Sequence, residues 1–127
     1  MASVPYIVTK GIVLRETETK EADKILTLLT QDRGKIPVIA RGVRRKSCKY
    51  AACAQPLAYS EWTLYQKGDW YYANDGATIE LFRGLQTDLE AMALGFYLAE
   101  LTEAVTTEEQ PADDLLRHLL NGLYALA

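Results

Sequence analysis

Residues Gly34 to Lys49 read GKIPVIARGVRRKSCK, and both fold and function turn on how this stretch is taken. Ile36 to Ala40 is an apolar run of strand length with β-branched content, and Arg41, Arg44, Arg45, Lys46 and Lys49 then place five cations within nine residues. A strand therefore delivers a cationic loop. Like charges held this close repel one another, so the cluster makes best sense beside a dense anion such as a phosphate backbone. The plainer reading is a solvated, mobile loop, and the surroundings have to decide between the two.

Upstream, Gln31-Asp32-Arg33-Gly34 has the chemistry of a tight turn, because Gly34 can take a positive φ at no steric cost. It lets a strand over Ile25 to Thr30 fold back on one over Ile36 to Val43 as a hairpin. Before them, Tyr6 to Leu14 reads as the first strand, with Gly11 marking a bulge or sharp bend, and Arg15 to Lys24 as a charged connection. Downstream, KYAACAQ is expected to make one or two helical turns before Pro56 stops it. Tyr59 to Tyr65 alternates, with Trp62 and Leu64 on one face and Glu61, Thr63 and Tyr65 on the other. Lys67-Gly68-Asp69 turns the chain into a fifth strand from Trp70 to Ala73, which can continue to Ile79. Five strands with turns at this spacing suit a small closed antiparallel barrel, since an open sheet leaves its edges unprotected.

The character changes near Glu80. Leu85, Leu89, Met92, Phe96 and Ala99 recur at helical spacing, predicting one amphipathic helix that ends near Thr106. TTEEQP breaks it, and Pro111 is placed to open a second helix with Asp113 and Asp114 in its first turn. Leu115, Leu116, Leu119, Leu120, Leu123 and Leu126 follow, a pattern of packing surface rather than of a cofactor box. The expected organisation is a nucleic-acid-binding barrel over residues 1–80 and the start of a helical domain over 81–127. The Leu-rich end suggests missing neighbours, hence a truncated second domain.

The net charge of −3 conceals an asymmetry. Residues 1–74 hold 12 Lys and Arg against 7 Asp and Glu, whereas residues 75–127 hold 2 against 10. The basic half is expected to meet nucleic acid and the acidic half protein partners. No apolar run is long enough to span a bilayer and the N-terminus lacks a secretory core, so a cytoplasmic location is expected. Cys48 and Cys53 are spaced CxxxxC with no second pair and no nearby His, so they read as free thiols without a metal.

Catalysis finds little support. His118 is the only histidine and sits in a helical Leu-rich stretch as a surface or boundary residue; the pairs Asp113–Asp114 and Glu108–Glu109 lie where helix starts account for them. No phosphate-cradling glycine pattern occurs, so no cofactor and no enzymatic role are expected. Binding fares better. Small barrels of this type hold single strands with basic side chains on the phosphates and aromatics on the bases. Arg41, Arg44, Arg45, Lys46 and Lys49, with Lys35 beside them and Lys10 and Arg15 as further candidates, supply the first part. Tyr59, Tyr65, Tyr71 and Tyr72 are candidates for the second, and Trp62 and Trp70 fit the barrel interior better. The competing class is a protein-interaction scaffold whose basic loop docks an acidic partner.

These residues also carry a resemblance. Gly11-Ile12-Val13-Leu14-Arg15, Glu21 with Asp23, Thr30 with Gly34-Lys35, Ala40-Arg41-Gly42-Val43-Arg44-Arg45 with Ser47, and later Phe82-Arg83 and Leu98-Ala99-Glu100-Leu101 resemble the RecO family of bacterial DNA repair and recombination mediators. The resemblance covers nearly the whole chain. It implies an N-terminal five-stranded OB-fold barrel followed by a helical domain and no turnover of a small substrate. It implies binding of single- and double-stranded DNA, annealing of complementary strands, and work with RecR, single-stranded DNA-binding protein and, indirectly, RecA. On this pattern Lys35, Arg41, Arg44, Arg45, Lys46 and Lys49 carry DNA contact. Many members continue through a longer helical region with a four-cysteine zinc site, whereas this sequence stops at Ala127 with neither.

Overall fold

The computed structural model describes residues 5–19, 22–106 and 112–127; Glu21, the pair Glu108 and Glu109, and Pro111 lie outside them. Five strands, β1 (Tyr6–Glu18), β2 (Lys24–Thr30), β3 (Gly34–Ala40), β4 (Tyr59–Lys67) and β5 (Trp70–Glu80), close into a barrel in the order β1-β2-β3-β5-β4. A 3-10 turn over Ala51–Ala54 separates β3 from β4, and α1 (Arg83–Gln86), α2 (Leu89–Val105) and α3 (Asp113–Leu126) follow the barrel. Four of the pairings are antiparallel and the fifth, β3 with β5, is parallel through Val38–Tyr71 and Ile39–Tyr72. An odd number of strands cannot alternate direction all the way round a ring. One parallel seam is the topological consequence, and it qualifies the all-antiparallel expectation.

The β2–β3 hairpin forms for the local reason anticipated. Gly34 sits at φ +66°, and the Thr30 hydroxyl donates to the Gly34 carbonyl (2.9 Å) while accepting from the Arg33 N–H (3.1 Å). The first strand is longer than its apolar run, because Arg15 to Glu18 pair with Thr27 to Lys24 and draw the charged connection into the sheet. Gly11 pairs regularly with Thr30 on one side and Ser60 on the other, and the register shift falls between Val13 and Arg15 instead. Gly11 permits a close approach: a Cβ there would meet the Leu29 carbonyl oxygen at 3.1 Å. Ordinary alternation along β1 sends Val13 into the barrel and turns Ile12 and Leu14, on either side, towards the helices.

Two apolar clusters result. Val13, Leu26, Leu28, Ile36, Val38, Trp62, Leu64 and Tyr71 fill the barrel, closed at one end by Val43, Cys53 and Ala54. Ile12, Leu14, Leu29 and Leu57 on its outside pack with Phe82, Leu85 and the helices. The joint between them is Phe82, held at φ +52° with its N–H donating to the Glu80 carboxylate (2.8 Å) and its buried ring edge-on to Tyr124.

The single expected helix is two. Asp88 interrupts it, its carboxylate accepting from the N–H groups of Glu90 (3.0 Å) and Ala91 (3.2 Å) as an N-cap. Leu89, assigned to the inward stripe, is consequently 90% exposed, and the inward face is Ala91, Met92, Gly95, Phe96 and Ala99. α3 buries Leu116, Leu119 and Leu123 and exposes Asp113, Asp114, Arg117 and His118, whereas α2 shows Leu94, Tyr97, Leu101 and Val105 to solvent. No described helix is long and apolar enough to cross a membrane.

Candidate nucleic-acid interface

The cationic loop is built from turns and anchored in the core. Gly42, at φ +65°, turns the chain at the end of β3, and its N–H donates to the Asp23 carboxylate (2.7 Å). The N–H groups of Arg44, Arg45 and Cys48 then bond the carbonyls of Ala22 (2.9 Å), Gly42 (3.0 Å) and Arg45 (3.1 Å). Val43 is the anchor. Expected as the last strand residue, it instead leaves the ladder and buries its side chain in the barrel cluster. One apolar residue among arginines thus fixes which way its neighbours face, and Arg41, Arg44, Arg45, Lys46 and Lys49 are all exposed.

Their surroundings differ. Arg44 lies back on the β1–β2 turn, donating to the Thr19 carbonyl (3.3 Å) with Glu18 3.6 Å away. Arg41 stacks its guanidinium over the Tyr72 ring, 4.8 Å from the centroid. Arg41, Arg45, Lys46 and Lys49 make no ion pair among the described residues. Arg41, Arg45 and Lys49 line one shallow groove of about 370 Å³ with Tyr50, Asn74 and Asp75. Burial, with the nearby Cys48 adding to it, pushes the Tyr50 phenol up to about 12, so at neutral pH it is a hydrogen-bond donor without charge.

Arg41 and Asn74 also border a second cleft of about 490 Å³ over the outer face of the barrel. Tyr6, Tyr65 and Tyr72 line it, and they are one cross-strand row: Tyr6 pairs with Tyr65, and Tyr65 with Tyr72. Tyr65 and Tyr72 are stacked (5.3 Å, 12°), with Tyr6 edge-on to Tyr65 (6.5 Å, 85°).

Of the residues singled out from sequence, the structure brings Arg41, Arg45, Lys49, Tyr65 and Tyr72 to these joined grooves, with Lys46 exposed on the same loop. Lys35 is elsewhere. It sits roughly 20 Å along β3 from Arg41 at the ~3.3 Å rise of a strand, and its ammonium reaches the Glu103 carbonyl on α2 (3.4 Å). Arg15 lines a separate cleft with Lys35 and Glu103 and is paired with the Glu103 carboxylate (2.9 Å). Tyr59 belongs to the barrel–helix junction, where burial raises its phenol. Tyr71 is 3% exposed inside the barrel, its hydroxyl taking a hydrogen bond from Arg33 (3.4 Å), so it offers no face for stacking. Trp62 fills the interior as expected, but Trp70, expected there too, is 46% exposed at the β4–β5 turn. Tyr6, Tyr50, Lys67 and Asn74 were not anticipated; the tyrosine row depends on pairing between strands far apart in sequence.

Residues 1–82 match the family model described as Recombination protein O N terminal, and residues 86–127 match that for Recombination protein O C terminal. The chain belongs to the RecO family. It is 42% identical over 120 residues to the DNA repair protein RecO of Caldicellulosiruptor bescii, covering 94% of this chain and 49% of that protein. The corresponding protein of Acetivibrio thermocellus is 38% identical over 122 residues (96% and 49%). That of Bacillus subtilis is 35% identical over 117 residues (92% and 46%). The chain therefore spans about half the length of these curated relatives. The four-cysteine zinc site of many RecO-like proteins does not fit its residues. Cys53 is buried against Gly76 with its thiol at 3.4 Å from the Thr78 hydroxyl, and no described group of three or more His, Cys, Asp or Glu side chains converges.

Proposed function

We propose that this chain is a DNA-binding recombination-mediator module acting in DNA repair, with residues 1–80 as its nucleic-acid-binding domain and 81–127 as the start of a helical domain. The relatives are named DNA repair proteins, which sets the context. The observation that carries the reading is the loop: Arg41, Arg45, Lys46 and Lys49, four exposed cations that make no ion pair among the described residues, beside the buried Val43 at the end of β3. Such a surface neutralises phosphates of two complementary strands and lowers their mutual repulsion, so annealing proceeds without any bond being made or broken. Within this reading the module binds single- and double-stranded DNA, meets RecR and single-stranded DNA-binding protein through other surfaces, assists RecA loading indirectly, and works at the nucleoid without a cofactor. The acidic C-terminal portion leaves that side to protein partners.

Titration of fluorescent single-stranded DNA against salt is the test. With four phosphates neutralised, log affinity is expected to fall with log salt at a slope of about −3, at ~0.7 per phosphate on a single strand. No binding at low salt overturns the reading in favour of a scaffold that docks an acidic protein.

A further inference from the structure

We infer that the cleft over β1, β4 and β5 is a pocket for an unpaired nucleobase, which makes this chain read the bases of a single strand as well as its phosphates. The inference rests on the DNA-binding reading above and adds a ligand and a site to it. Cross-strand tyrosines can simply stiffen a sheet, and for a buried pair that would suffice. Here the row is only half-buried: Tyr6 is 58% exposed, and the stack of Tyr72 on Tyr65 borders a cleft with room for a base and its sugar. Arg41 covers Tyr72, which is itself stacked on Tyr65, so the ring open to a base is that of the exposed Tyr6, and Arg41 joins the aromatic and cationic surfaces.

The remaining lining matches the ligand. Gln66 and Asn74 present amides that donate to and accept from a base edge, and Lys67 supplies a cation for the adjoining phosphate. A base inside a duplex has both faces stacked and its pairing edge occupied. Only an unpaired one can offer a face to tyrosine and an edge to the amides. The pocket would hold single strands while the loop tolerates either form, and shallow stacking releases the base once a complementary strand arrives.

Two probes of equal charge separate this from the parent reading: a 15-nucleotide oligothymidine and an abasic 15-mer with the same phosphates, each titrated by anisotropy into the intact chain. The oligothymidine is expected to bind ~5- to 100-fold more tightly, the range that stacking of one to a few bases supplies. Tyr6→Leu and Tyr65→Leu, which leave the Arg41–Tyr72 contact in place, should bring that ratio towards one. Equal binding of both probes with the steep salt slope intact overturns the pocket and spares the phosphate-binding loop. Binding of neither at low salt removes both. Should the leucine variants fail to fold, photocrosslinking of the wild-type chain to 5-iodouracil DNA decides: adducts on Tyr6, Tyr65 or Tyr72 support the pocket, and adducts confined to other residues refute it.

Discussion

Replacing Arg45 and Lys49 together by Gln is the perturbation from which the loop geometry gives the sharpest number. Both side chains are exposed, make no ion pair among the described residues and line the same groove, so their loss removes charge with little cost to the fold. Each phosphate released from a single strand contributes ~0.7 to the salt slope, so the slope should drop from about −3 to about −1.4. The same relation makes each contact worth ~5-fold at 0.1 M salt and under ~2-fold at 0.5 M. The double variant should therefore bind about 25-fold more weakly at 0.1 M and only about 3-fold more weakly at 0.5 M, by an equal factor for every sequence. Fluorescence anisotropy on mixed-sequence and homopolymer oligonucleotides across that salt range reads all of these quantities. An unchanged slope, or a loss confined to particular sequences, refutes the assignment of this loop to phosphate contact.

Arg44→Gln should lower the slope by less than Arg45→Gln, because Arg44 is already engaged with Thr19 and Glu18; the same titration compares them. Phe82→Ala, which empties the joint between barrel and helices, should cost about 3 kcal/mol or more in guanidinium unfolding. Thr30→Val should cost about 1–3 kcal/mol by leaving buried partners of the β2–β3 turn unsatisfied. Burial holds the Tyr50 phenol protonated to about 12, above its ordinary 10, so stability from this group is intact below pH 10 and declines as pH climbs from 10 towards 12. Unfolding midpoints at pH 9 and pH 11 should fall further apart in the wild type than in Tyr50→Phe.

Several features were legible because they depend on a few consecutive residues. The turn at Gly34 needs only its own φ, the inward pair Trp62 and Leu64 only a period of two, and the cationic character of residues 41–49 only composition. The cap at Asp88 was equally local, and the helical spacing running through it concealed it. Other features depend on how distant segments meet. Barrel closure sets β1 against β4 and β4 against β5, and that register alone aligns Tyr6, Tyr65 and Tyr72 into one row. It likewise carries Lys35 away from the loop to Glu103, puts Tyr71 inside and Trp70 outside, and sets Arg44 against Thr19 and Glu18. Backbone preference and side-chain periodicity are properties of short segments and can be read along the chain. Register between strands is a property of the closed ring, because sliding one strand by a residue exchanges its inner and outer faces, and only the packed core selects among those alternatives.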